Sequence, residues 1–215
     1  SAIVKPATLT CYLTELMVRE IIASEILPEG ALQLICGSAN GILDHITCED
    51  VVTFTGSAST GQMLKSNPRI IEESVPFNME ADSLNASILG EDSTPGTAEF
   101  DLFIKEVQRE ITVKAGQKCT AVRRIIVPEN LVEDVQSALS SRLSKTVIGD
   151  PSVEGVRMGS LAGQPQVKEV TEKVNLLAKS QKIIFGDLNE FEVTGADKTK
   201  GAFISPILFL NESPF

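Results

Sequence analysis

The amino-terminal part of the chain alternates between two kinds of apolar pattern, and that alternation leaves few folds open. Ser1 to Ala7 reads as the end of a strand running into Lys5. From Thr8 the period changes: Leu9, Leu13, Leu16, Met17 and Ile21 fall on one helical face. Pro28-Glu-Gly30 turns the chain into a short apolar strand, Ala31 to Cys36, stopped by Gly37. Asn40 to His45 is expected as a short helix. Val51 to Thr55 is the next strand, and Gly56 opens a loop into a helix over Ser59 to Lys65. Strand, helix, strand, helix with short links requires crossover connections. The expected class is therefore α/β with a parallel sheet.

After Pro76 the character shifts, and the boundary between two α/β units is placed near Glu80 to Ser83, giving units 1–82 and 83–215. Ser83 to Leu89 reads as a strand, and Gly90 to Thr97 as a surface loop. Phe100, Phe103, Ile104, Val107 and Ile111 share a helical face, which Gly116 is expected to end. Arg124-Ile-Ile-Val-Pro128 is a strand closed by proline. Helices follow over Glu129 to Leu143 and Pro165 to Ala178, with a turn at Gly149-Asp-Pro151. Lys182 to Phe185 and Phe203 to Leu210 are the last strands, separated by a polar loop, Asn189 to Lys200.

Composition removes several function classes. At 215 residues and 42% hydrophobic, the chain has ample core and no signature of disorder. A net charge of −10 argues against nucleic acid or an anionic membrane surface as partner. No apolar run approaches the ~20 residues of a membrane span. Four cysteines (11, 36, 48 and 119) lack C-x-x-C spacing, and there is one histidine, so no zinc site is expected. A disulfide framework does not suit this size and composition, and a reducing cytoplasm is the natural setting. Cys11 and Cys36 are expected in the core. The chain has no visible signal peptide and opens on apolar residues without an initiator Met, so it reads as a piece of a longer protein.

The candidate chemistry centres on Cys119. It follows a helix end, sits beside Lys118 and precedes a strand; loop access and positive charge suit a reactive thiolate, while a small buried apolar role is the alternative. Phe54-Thr-Gly-Ser-Ala-Ser-Thr-Gly61 is a strand, a glycine turn and a helix start. Amide groups at such a helix end can face an anion, or the segment can be a plain turn; the G-x-G-x-x-G fingerprint is absent. Lys5 alone is a solvated strand-end lysine, and Glu80 alone a strand cap or an arginine partner. His45 reads as a surface or helix-end histidine. Arg123 and Arg124 suit surface ion pairs, with an acyl-CoA phosphate as the other reading.

Taken together, these stretches resemble the aldehyde dehydrogenase superfamily. Gly116-Gln-Lys-Cys119 is similar to its G-Q-x-C nucleophile loop, Phe54 to Gly61 to its F-T-G-S-x-x-x-G, and Lys5-Pro-Ala to its K-P-x cofactor motif. Glu80 lies before Cys119, where the family carries its general base. Phe77 to Asn85 and Lys114 to Pro128 look most like one branch, the aldehyde dehydrogenase half of the bifunctional ring-opening enzymes of aerobic phenylacetate degradation. The resemblance covers nearly the whole chain. It implies an NAD(P)-dependent oxidation of an aldehyde, a CoA-linked semialdehyde in that branch, to its acid. Cys119 would be the nucleophile and Glu80, partly buried, the base for the deacylating water. Lys5 would hold the adenosine ribose, and Gly56 and Ser57 would approach the pyrophosphate, with Phe54, Thr55 and Gly61 framing the turn. Thr8, three residues past the lysine, would favour NADP over NAD. The resemblance also implies a homo-oligomer. It further expects an oxyanion-hole asparagine upstream of Ser1 and an E-x-F-G-P run past Phe215. One departure stands out: where the family has leucine, two glycines and lysine after the glutamate, this chain has Ala81-Asp-Ser-Leu84, which implies an altered wall near the nicotinamide. The alternatives are a CoA-acylating dehydrogenase and a catalytically silent fragment.

Overall fold

The computed structural model describes residues 1–39 and 41–212. Asn40, which opens the expected short helix, lies outside them; a 3-10 turn spans Ile42–His45. The chain divides into two compact units, Ser1–Asp82 and Ser83–Phe215.

In the first unit, β1 (Ala2–Val4) and β2 (Leu32–Leu34) pair in parallel, Val4 opposite Leu34. The crossover between them is a 3-10 turn, Thr8–Thr10, followed by α1 (Cys11–Ala23). A second parallel pair joins β3 (Val52–Gly56) and β4 (Phe77–Ala81), crossed over by α2 (Ala58–Lys65) and α3 (Pro68–Glu72). Asn67 caps α3 by accepting the Arg69 N–H at 2.9 Å, and Pro68 stands at the first helical position, where its missing N–H costs nothing.

The expected apolar face of α1 is not the buried one. Leu9, Leu13, Leu16 and Met17 are more than half exposed, whereas Val18 is 4% exposed. The helix carries apolar residues on two faces, so its period fixes the helix but not the face turned to β2.

In the second unit, β5 (Asn85–Ile88) and β6 (Val122–Ile126) are parallel, while β7 (Lys182–Phe185) and β8 (Leu208–Leu210) are antiparallel. The expected strand from Phe203 begins only at Leu208, because Pro206 has no N–H for a ladder. The longest helix, α4 (Ala98–Thr112), is capped by Thr97, whose hydroxyl accepts the Phe100 N–H. Its face Phe100, Ile104 and Val107 packs with Leu131, Val135 and Leu139 from α5 (Val132–Leu143) and the turn before it. Leu89 and Leu208 close that core from the strand side. A second core gathers Ile148, Met158, Leu161, Ala202 and Ile204, with Val167 of α6 (Gln164–Leu177) against it. Among the described residues the strands form four separate pairs, three of them parallel.

Candidate active site

The loop that carries Cys119 is built from an unusual helix ending. α4 stops at Thr112, earlier than the expected break at Gly116, because Lys114, Ala115 and Gly116 all turn left-handed, with φ of 53°, 52° and 70°. Only the glycine adopts that region at little cost; an L-residue there is strained by about 1–2 kcal/mol. Such a backbone persists when its surroundings over-determine it, and here they do. Gln117 donates from its side-chain amide to the Lys114 carbonyl at 2.9 Å and accepts the Ala162 N–H at 2.8 Å. Arg123 donates to the Gly116 carbonyl at 2.7 Å. Asn85, at the start of β5, donates to the Cys119 carbonyl at 2.7 Å and to that of Ala121 at 3.2 Å.

Lys118 does not stand free beside the thiol. Its ammonium is 2.6 Å from the Glu110 carboxylate on α4, and both side chains are about four-fifths buried (20% and 21% exposed). The other Glu110 oxygen is buried without a partner, so the pair fixes the loop to its helix. Ala121 is fully buried, while Cys119 is exposed. The loop thus has its backbone held at four carbonyls, those of Lys114, Gly116, Cys119 and Ala121, while Cys119 itself is exposed. Cys36 and Cys48 are exposed as well and Cys11 is half-buried, so the two cysteines expected in the core are not there.

In the first unit, Phe54 explains both glycines of its motif. A Cβ at Gly56 would lie 2.5 Å from the ring's Cζ, and one at Gly61 would meet the ring at 3.2 Å and the Met79 sulfur more closely still. Phe54 and Met79 are opposite each other in the β3–β4 register and pack together on α2 at Gly61. The alternate positions Thr53, Thr55, Asn78 and Glu80 point the other way and are exposed. Glu80 stands beside Thr55 near the carboxyl end of β4, exposed rather than partly buried as expected.

Ser57 caps α2, accepting the Thr60 N–H at 3.3 Å. Asp82, with φ of 49°, reaches back and accepts the Ala58 N–H at 3.3 Å. The departure from the family run therefore places a carboxylate at the first amide of α2. Lys5 and Thr8 are exposed on the link between β1 and α1. Thr8 is not a helix cap: the cap positions are Ala7 and Thr10, and neither makes a side-chain cap bond. His45 ends its 3-10 turn, exposed. Arg124 donates twice to the Leu84 carbonyl, at 3.1 and 2.7 Å, so neither it nor Arg123 is spent on the expected ion pair.

Lys5, Gly56 and Glu80 thus each lie at or just past the carboxyl end of a parallel strand, where α/β folds bind ligands. Residues 1–214 match the family model described as Aldehyde dehydrogenase family. The chain belongs to the aldehyde dehydrogenase family. It is 44% identical over 204 residues to the 3,4-dehydroadipyl-CoA semialdehyde dehydrogenase of Aromatoleum evansii, covering 95% of this chain and 40% of that protein. It is 28% identical to a probable betaine aldehyde dehydrogenase of Schizosaccharomyces pombe, over 86% of this chain and 35% of that one. Among solved aldehyde dehydrogenases, the NAD+ complex of Staphylococcus aureus betaine aldehyde dehydrogenase superposes with a TM-score of 0.82 at 24% identity, covering 97% of this chain and 40% of its own. The present chain therefore spans about two-fifths of the length of these aldehyde dehydrogenases.

Asn85, Gln117, Arg123, Glu110 and Asp82 were not legible as site residues. An asparagine opening a strand is a mild signal, since strands are poor in it. Glu110 carries no local mark. Gln117 stands in the G-Q-x-C run, Asp82 in the departure after Glu80 and Arg123 among the phosphate candidates, but none of these marks says what the side chain holds.

Proposed function

We propose that the full-length protein is an NAD(P)-dependent aldehyde dehydrogenase that oxidises an aldehyde to its carboxylic acid, with Cys119 as nucleophile. The observation that carries the reading is the Cys119 loop, pinned by Asn85, Gln117, Arg123 and the Lys118–Glu110 pair while its thiol is exposed. A CoA-linked semialdehyde is the substrate class, after the printed name of the 44% identical relative, and aromatic degradation is the setting. The enzyme acts in the cytoplasm as a homo-oligomer.

The donors present suit a dinucleotide: the Lys5 ammonium and Thr8 hydroxyl for the adenosine ribose, Ser57 and the Gly56 turn for the pyrophosphate. The nicotinamide, when bound, supplies the hydride acceptor. The Cys119 thiolate attacks the aldehyde carbonyl and forms a thiohemiacetal, whose oxyanion the Cys119 N–H helps to hold. Loss of hydride leaves a thioester on Cys119. Glu80, once covered in the full-length protein, takes a proton from the water that hydrolyses it.

The test is to label the native full-length protein with limiting iodoacetamide and map the adduct. Cys119 is expected to react first; prior reaction at Cys11, Cys36 or Cys48 refutes the assignment. Glu80→Gln should then keep a burst of reduced cofactor while steady turnover stops, and absence of the burst removes Glu80 from the deacylation role.

A further inference from the structure

Two of the four cysteines are brought together by the first crossover. β1 and β2 run parallel, with the Ile35 N–H donating to the Val4 carbonyl at 2.9 Å, so Cys36 leaves β2 just past its carboxyl end. A helix that crosses over between parallel strands runs back against them, and the amino end of α1 therefore meets the carboxyl end of β2. Cys11 is the first residue of α1, and it lies on the face that continues through Glu15, Val18 and Ile22 over Leu34. Cys36 lies two residues beyond Leu34, the last residue of β2, at the end of the sheet where α1 begins with Cys11.

The state of the Cys36 thiol agrees with this placement. Although the residue is exposed, its sulfur loses solvent against the surrounding chain. That loss, then the Cys11 thiol as neighbouring charge and hydrogen-bond partner, then the Glu15 carboxylate, raise its pKa above the ordinary thiol value. Both cysteines are free in the structure, and neither belongs to the chemistry proposed for Cys119.

We propose that Cys11 and Cys36 form an oxidation site, a vicinal thiol pair that a hydroperoxide converts to an intramolecular disulfide. The Cys11 thiolate attacks one peroxide oxygen and breaks the O–O bond, while Cys36, whose ionisation is opposed by its surroundings, is the resolving thiol. This gives a sulfenic acid and hydroxide, which takes up the thiol's proton as water. The second thiol attacks the sulfenic sulfur, the S–O bond breaks, the S–S bond forms and a second water leaves. The two sulfurs together lose two electrons and the peroxide gains them. The bridge would tie the start of α1 to the end of β2 and close the chain around the link that carries Lys5 and Thr8.

The experiment treats the full-length protein with hydrogen peroxide, removes the excess with catalase, blocks remaining thiols with iodoacetamide and digests without reductant. Mass spectrometry is expected to find one dominant cross-link, Cys11 to Cys36, two hydrogens lighter than its reduced peptides and lost on treatment with dithiothreitol. In the native state it should exceed any other cysteine pair by about tenfold, since proximity sets the rate. In urea-unfolded protein that preference should vanish. Cys11→Ser should leave Cys36 unbridged, and the same digest of the unsubstituted protein stands if that variant fails to fold. Recovery of Cys11 and Cys36 as separately alkylated or separately oxidised residues in the native protein overturns the proposal, as does an equal spread of bridges before and after unfolding.

Discussion

The side-chain amide of Asn85 donates to the main-chain carbonyl of Cys119 at 2.7 Å, across 34 residues of sequence. The same amide reaches the Ala121 carbonyl at 3.2 Å. One side chain on β5 therefore holds both ends of the turn that carries the thiol. Its two bonds go to backbone, so they fix where the sulfur sits without touching it.

Removing that amide should loosen the loop without dissolving the fold. Asn85→Ala is expected to cost about 0.5–1.5 kcal/mol in unfolding free energy, the net range for a typical hydrogen bond, since the bond to Cys119 is exposed and only that to Ala121 part-buried. The rate of Cys119 alkylation should change, while that of Cys48, far along the chain, stays constant. Asn85→Asp should be worse, because a carboxylate cannot donate to either carbonyl. Equal alkylation rates in all three proteins would show that Asn85 stabilises the unit and does not position the thiol.

Lys118 invites a charge argument, but its ammonium is already held by Glu110 in a pair that is mostly buried. Lys118→Met leaves the Glu110 carboxylate without its partner, with its second oxygen already unbonded. A loss of about 1–3 kcal/mol is expected, below the range for a fully buried pair. Adding Glu110→Gln should recover part of it, and the double-mutant cycle then gives the coupling. If the single substitution costs nothing while Cys119 alkylation slows, Lys118 acts on the thiol instead.

Gly61 tests whether the Phe54–Gly61 segment owes its glycines to packing. A methyl at Gly61 would run into the Met79 sulfur and the Phe54 ring. Gly61→Ala should therefore destabilise the protein by about 1–3 kcal/mol even without cofactor, as overpacking does. Met79→Ala in the same chain should return a good part of the loss. Equal stability of Gly61→Ala and the parent protein, measured by urea unfolding, would leave packing out of the account.

Three turn carboxylates set an acid limit on the second unit. Asp150 and Asp187 are held below the ordinary Asp value mainly by backbone N–H donors, from Ser152 and from Asn189 and Glu190. Asp197 is held down chiefly by the Thr199 hydroxyl and N–H. A depressed folded pKa contributes stability that is present above the unfolded value, about 3.9. That contribution is lost as pH falls through the folded values. The thermal midpoint should therefore fall as pH drops below that unfolded value, and replacing all three by Asn should flatten that limb. An unchanged slope would assign the acid limb to other carboxylates.

Much of this was readable in the sequence, and the failures share a cause. Periodicity located α1, α4, α5 and α6, because each is a local property of side-chain spacing, and their alternation with strands gave the parallel class. β4 (Phe77–Ala81) and α3 (Pro68–Glu72) were missed, being five residues each and too short to show a period. The Cys119 loop was readable because its motif is contiguous. What holds it was not: Asn85 lies 34 residues before Cys119, and Ala162 lies 45 residues after Gln117. Hydrogen bonds across such separations leave no periodic trace. The face of α1 was misread for a related reason, since a helix with two apolar faces does not say which one the sheet will take. Lys118 was assigned to its sequence neighbour, whereas its partner is Glu110, a turn and a loop away on α4.

The last prediction concerns cofactor choice and rests on Thr8. A residue at this position could have been spent on capping the helix that follows. It is not: the cap positions are Ala7 and Thr10, and Thr8 is exposed at the start of the 3-10 turn. A neutral hydroxyl three residues past Lys5, on the link after β1, can donate to an added phosphate, and the nearby ammonium favours its charge. A glutamate there would accept from a ribose 2′-hydroxyl and repel a 2′-phosphate. The full-length protein is therefore expected to prefer NADP to NAD, by as little as about tenfold, since exposed charges are screened. Thr8→Glu should lower kcat/KM for NADP far more than for NAD and leave the thermal midpoint of the cofactor-free protein unchanged. Equal losses with both cofactors would remove Thr8 from cofactor selection. A lowered midpoint without cofactor would return it to a structural role in the turn.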